Sequence, residues 1–143
     1  MSDHSAIARL LAEARAQLDR VVAQDLPGEV AAGALLVDTR PVDQRERDGE
    51  LAGAVVVDRN VLEWRLDPSS PYRIPQISSV EQRVIIVCDQ GYSSSLAAAT
   101  LRRLGMHRAT DLVGGFQALL LAGGPLTGGG GRPTGTAGPR RSV

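Results

Sequence analysis

The chain has 143 residues, with 16 basic and 16 acidic side chains, one cysteine and four aromatics. That length suits one domain with a core of its own, and a single cysteine excludes an intramolecular disulfide, a Cys-rich zinc site and a small stapled secreted scaffold. The opening MSDHSAIARLL lacks a signal peptide's basic start and unbroken apolar stretch, and no window approaches the roughly 18 apolar residues of a membrane span, so a cytoplasmic protein without a membrane partner is expected.

Residues 1–19 open the chain with Ile7, Leu10, Leu11, Ala14 and Leu18 at helical spacing, and Val21 extends the stripe. Asp3 or Ser5 is placed to cap an amphipathic helix over 5–19, whose apolar face is expected to pack on a sheet. A domain over 20–122 follows. A short strand is expected near 20–23 and a brief helix over 26–32. Three short apolar runs come next: ALLVD (34–38), AVVVD (54–58) and VIIVC (84–88). Each is rich in β-branched residues and too short for a helix, the pattern of parallel strands buried on both faces. Helices are predicted near 42–48, 61–65 and 93–104, then a strand near 110–113 and a helix over 116–122. This alternation predicts an α/β fold with a mostly parallel sheet of about five strands and helices on both faces.

Residues 123–143 hold eight of the 16 glycines, three of the eight prolines, three arginines and no acid. A segment of that composition is expected to be a disordered tail, because it cannot offset its ordering entropy by burying apolar area. The tail carries +3 and the body, with 13 arginines against 16 acids, carries −3. A mildly acidic body without a basic stripe argues against nucleic-acid binding.

In parallel sheets the active crevice lies beyond the carboxyl ends of the strands. The residues leaving those ends are Asp38-Thr39-Arg40, Asp58-Arg59-Asn60, the run Cys88-Asp89-Gln90-Gly91-Tyr92-Ser93, and Gly114-Gly115. Cys88 ends a predicted strand, Asp89–Tyr92 form a tight loop in which Gly91 supplies a positive φ, and Ser93 or Ser94 is placed to cap the next helix, with Leu96, Ala97, Thr100, Leu101 and Leu104 inward. Loop and first-turn amides would then converge on the sulfur as an anion nest, surroundings that favour a thiolate at neutral pH. The competing reading is a buried cysteine acting as a small hydrophobe, but the polar run after it is wasteful as mere packing. Asp38 is expected to accept backbone donors in support of the site, and Arg40 to brace the loop through a carboxylate. Trp64 either walls the pocket or packs its helix. His4 and His107, in a terminus and a turn, are not bases.

These segments resemble the rhodanese-like family over nearly all of residues 20–126. ALLVDTR is similar to its first core strand, GELAGAVVV to the segment leading into the next, VIIVCDQGYSSSLAAATLRRLG to the active-site loop and helix, and ATDLVGGFQALLLAGGPL to the closing strand, turn and helix. The resemblance implies a sulfurtransferase. Cys88 would take the outer sulfur of thiosulfate or another donor as a persulfide and pass it to a thiol or cyanide acceptor. The amides of Gln90, Gly91, Tyr92 and Ser93 would hold the charge, with the Ser93 hydroxyl adding a bond, and no metal or organic cofactor would be needed. Many members carry a basic residue just after the cysteine or at the loop's sixth position, where this chain has Asp89 and Ser93. An acid there opposes thiolate formation unless it points to solvent or pairs with an arginine, and Arg40, Arg59 and Arg65 are the candidates to supply positive charge. On this reading Asp89→Arg is expected to raise thiosulfate turnover. Three rivals stand beside it: a phosphatase or arsenate reductase, a non-catalytic interaction module, and a persulfide or redox sensor.

Overall fold

The computed structural model describes residues 3–123. The predicted tail therefore lies, but for Gly123, outside the described residues. The first helix, α1 (Ala6–Ala16), begins at Ser5, whose hydroxyl accepts the Ala8 amide, as the capping pattern predicts. A single 3₁₀ turn leads into α2 (Leu26–Ala31), with Pro27 at its start. Strand β1 (Leu35–Asp38), helix α3 (Val42–Asp48) and strand β2 (Val55–Val56) follow, then α4 (Leu62–Leu66) after another 3₁₀ turn. Strand β3 (Val84–Val87), α5 (Ser93–Arg103), β4 (Ala109–Asp111) and α6 (Gly115–Leu121) complete the domain.

All four strands are parallel, in the order β2-β1-β3-β4. The sheet thus has four strands where about five were expected. Around residues 20–23 only Val21 pairs, as one parallel bridge to Leu112 beside β4, because the chain turns at Ala23 before a ladder can form. The AVVVD run is also not buried on both faces. β2 is an edge strand of two residues, with Val55 half-buried and Val56 exposed.

The central strands divide their side chains by the two-residue period. Val37, Val84 and Ile86 face one core with Leu62 and Leu66 of α4 and Ala97 and Leu101 of α5. Leu36, Ile85 and Val87 face the other, with Leu26 of α2 and Phe116 and Leu119 of α6. The unbroken apolar runs of β1 and β3 therefore supply both layers at once. Leu104, expected inward, is exposed at the end of α5. Helix α1 packs on α5 instead of on the sheet, which leaves Ala14 buried while Ile7 and Leu10 face outward. No helix among the described residues is long and apolar enough to cross a membrane.

Candidate active site

Cys88 leaves the end of β3 buried, at the floor of a cavity of about 460 Å³. Asp89, Gln90, Tyr92 and Ser93 form one wall, and Thr39, Arg40 and Arg59 the other. The loop curls as its glycine predicts. Gly91 has φ +84°, and its N–H donates to the Cys88 sulfur at 3.1 Å. A Cβ at Gly91 would lie 2.7 Å from the Gly114 nitrogen, so both the dihedral and the close approach of a second loop require glycine there. The start of α6 holds the loop from beneath: the Phe116 N–H donates to the Cys88 carbonyl at 2.8 Å and the Gln117 N–H to the Asp89 carbonyl at 3.1 Å.

The helix after the loop starts differently from the expected serine cap. Tyr92 is the cap position and makes no side-chain capping bond. The Ser94 and Ser95 hydroxyls both donate, at 2.7 Å, to one oxygen of the buried Asp111 on β4. Ser93 remains exposed at the cavity wall.

Asp38 and Arg40 form a fully buried pair. The carboxylate accepts the Arg40 backbone N–H at 3.0 Å, and its two oxygens accept the guanidinium Nε and Nη2, the shortest contact being 2.9 Å. Nη2 also donates to the Gly49 carbonyl, and the guanidinium carbon lies 3.6 Å from the centroid of the Phe116 ring. The charge of Arg40 is thus neutralised by Asp38, and the pair ties β1 to the segment approaching β2. Nη1 is buried without a partner among the described residues.

The other two arginines named from the sequence part company. Arg59 lines the cavity while paired with Glu63 at 3.0 Å, and it is partly exposed. Arg65 is not part of the site: its guanidinium donates to the Tyr72 carbonyl on the surface. Trp64 neither walls the pocket nor packs a core, being 58% exposed beside Leu104 and Asp67.

Asp89 turns away from the sulfur into a polar clamp that the sequence did not reveal. Its Oδ1 accepts Arg47 Nη2 and Gln117 Nε2, each at 2.9 Å, and both donors also reach Asp48. The Arg47 hydrogen bond holds the Asp48 carboxyl below the usual carboxylate range, with Gln117 adding to it against partial burial. The arginine that pairs with Asp89 is therefore Arg47, on α3, and none of the three proposed. With Arg47 in that place, an arginine at position 89 would set two like charges together and open the clamp. If the chain turns over thiosulfate as the sequence resemblance implies, Asp89→Arg is accordingly expected to lower that turnover by about three- to tenfold through loop displacement, the opposite direction to the one expected from the sequence. Steady-state assays of Asp89→Arg and of Asp89→Arg combined with Arg47→Glu check this, the second variant recovering part of the loss.

Two further arginines reach the loop from the N-terminal side. Arg15 and Arg20 both donate to the Gly91 carbonyl, at 2.7 and 3.1 Å, and Arg20 also grips both oxygens of Asp111. Nothing local in the sequence marks Arg15, Arg20, Arg47, Gln117 or Asp111. Each meets the loop or the first turn of α5 from a position 17 to 76 residues away.

Comparison with known proteins agrees with this architecture. The family model for the Rhodanese-like domain matches residues 22–122. A solved protein of unknown function from Rhodopseudomonas palustris, described as a possible tyrosine phosphatase, is 30% identical. That alignment covers 89% of this chain and 98% of the other, with a TM-score of 0.76. The polysulfide-sulfur transferase homodimer of Wolinella succinogenes superposes with a TM-score of 0.63 at 20% identity, covering 82% of this chain and 83% of its own. The thiosulfate sulfurtransferase of Pseudomonas aeruginosa gives 0.63 at 22% identity, over 82% of this chain and 21% of its own. A search of curated proteins gave no match. With a matched segment that contains the entire sheet and the cysteine loop, the chain belongs to the rhodanese-like domain family.

Proposed function

We propose that the protein is a sulfurtransferase that carries a sulfane sulfur on Cys88. One observation carries the reading: the only cysteine of the chain sits on the floor of the cavity, on a loop whose Gly91 amide already donates to its sulfur. The Cys88 thiolate attacks the outer sulfur of thiosulfate or a polysulfide. A sulfur–sulfur bond forms to Cys88 as the donor's own bond breaks, and sulfite or the shortened polysulfide leaves with the electron pair. An acceptor thiolate, or cyanide, then attacks the terminal sulfur and Cys88 departs as thiolate. The loop N–H groups offset the charge on the persulfide, and Arg59, which lines the cavity partly exposed while sharing its guanidinium with Glu63, is the cation an anionic donor meets there. A free catalytic thiol is maintained in a reducing compartment, which supports the cytoplasm as the site of the proposed reaction.

Incubation with thiosulfate or polysulfide followed by intact-mass measurement is expected to show one added sulfur, discharged by cyanide or a thiol and missing in Cys88→Ser. No adduct from either donor overturns the reading. A loaded persulfide that no acceptor discharges would instead mark a sensor.

The description of the Rhodopseudomonas palustris protein brings a phosphatase into consideration. A cysteine phosphatase clamps its oxyanion with a guanidinium at the end of the loop. Here the corresponding position is Ser94, whose hydroxyl is committed to Asp111, and Arg40 is committed to Asp38. Six residues from Cys88 to Ser93 make a loop suited to one sulfur atom, so hydrolysis of aryl phosphates is expected to stay at background in the same preparation.

A further inference from the structure

The Gly91 carbonyl receives more positive charge than one acceptor requires. Arg15 Nη2 and Arg20 Nη2 both donate to it, and the Ser95 hydroxyl lies 3.4 Å away. A single water or hydroxyl would satisfy a carbonyl. Both guanidiniums are held in place independently of it. Arg20 is anchored on the buried Asp111, and Arg15 Nε donates to the Ser95 hydroxyl while its guanidinium carbon lies 5.4 Å from the centroid of the Tyr92 ring. Neither residue falls within the segment matched by the family, which begins at residue 22. They come from α1 and the turn after it.

The peptide joining Gly91 to Tyr92 is trans and planar, so its N–H points to the side opposite its carbonyl. The carbonyl faces the two arginines, and the Tyr92 N–H has no acceptor among the described residues. Tyr92 also lines the cavity that holds Cys88. Charge-assisted bonds to a carbonyl polarise its peptide unit and strengthen the N–H as a donor. Cations behind a curled loop also raise the potential within it.

We infer that Arg15 and Arg20 are positioning residues that fix and polarise the Gly91–Tyr92 peptide, so that α1 and the segment after it supply from behind the loop the positive charge that the loop, with Asp89 and Ser93, lacks within it. The anion they serve is the sulfur of Cys88, as thiolate and, on the sulfur-transfer reading, as persulfide. Arg20 is tied to a buried carboxylate and its loss would disturb folding, so Arg15 is the residue to change.

Cys88 is the only thiol, so alkylation by iodoacetamide reports on it alone and needs no sulfur donor. Failure of persulfide formation and failure of this inference are therefore separate results. Rates are compared near pH 7 and near pH 10, where an ordinary thiol is largely ionised. Arg15→Met is expected to slow alkylation about three- to tenfold near pH 7, short of the hundredfold cost of a lost direct oxyanion donor, and to approach the unsubstituted rate near pH 10. Arg15→Lys is expected to recover most of the rate. Arg15→Gln, which retains a donor without the charge, is expected to behave as Arg15→Met and serves if the methionine variant fails to fold. An unchanged rate near pH 7 overturns the inference. So does a change of equal size at both pH values, which would show that α1 only packs against the loop.

Discussion

Arg40→Ala is expected to cost about 3–5 kcal/mol of folding stability, because it leaves the Asp38 carboxylate buried without its cation. Three interactions disappear together. The two-oxygen contact with Asp38, the bond to the Gly49 carbonyl and the stacking on Phe116 all depend on one guanidinium. The loss is mainly that of an unpaired buried charge, so changing both partners to apolar side chains, Asp38→Leu with Arg40→Met, is expected to cost less than Arg40→Ala alone. Urea denaturation of the two variants checks this. A loss under about 1 kcal/mol for Arg40→Ala would mean that the pair contributes no more than a surface ion pair.

Gly115→Ala is expected to destabilise by about 3 kcal/mol or more and to lower the proposed sulfur transfer at least about tenfold. At φ +63° an added Cβ would lie 2.5 Å from the Cys88 carbonyl oxygen and 2.7 Å from the carbonyl carbon and oxygen of Asp89. All three atoms are backbone of the cysteine loop, so relief requires moving the loop or tilting α6 away from it. Either movement breaks the Phe116 and Gln117 amide bonds that support Cys88 and Asp89. Gly28→Ala is the comparison. It lies in α2, where an added Cβ meets nothing within 4 Å, and it is expected to be neutral or mildly stabilising. Equal melting temperatures for the two variants would show that the loop tolerates displacement.

The order of elements was legible because it is written in local periods. The helix over 42–48 appears at the predicted bounds, and VIIV over 84–87 forms the fully buried central strand that its unbroken apolar run implies. Position 91 was legible for the same reason, since a glycine between a strand and a helix marks a positive φ and thereby a curled loop. Weak local patterns failed. Residues 20–23 have strand propensity but only one residue free to pair, and the stripe of α1 includes Ile7 and Leu10 although α5 covers only part of that face. A helical period shows which residues share a face, and does not show how wide a neighbour will cover it.

By itself the sequence determined an alternating α/β chain whose only thiol leaves the carboxyl end of a buried strand on a glycine-turned loop. Those features depend on neighbours within a few positions, where side-chain period and backbone preference act directly. Only the tertiary structure decided where the charges act. It turned Asp89 toward Arg47 and Gln117, spent Arg40 on Asp38, removed Arg65 from the site and brought Arg15 and Arg20 onto the Gly91 carbonyl. A guanidinium reaches its partner on a long side chain across whatever elements the sheet order places side by side, and its identity alone carries no record of which carboxylate or carbonyl that will be.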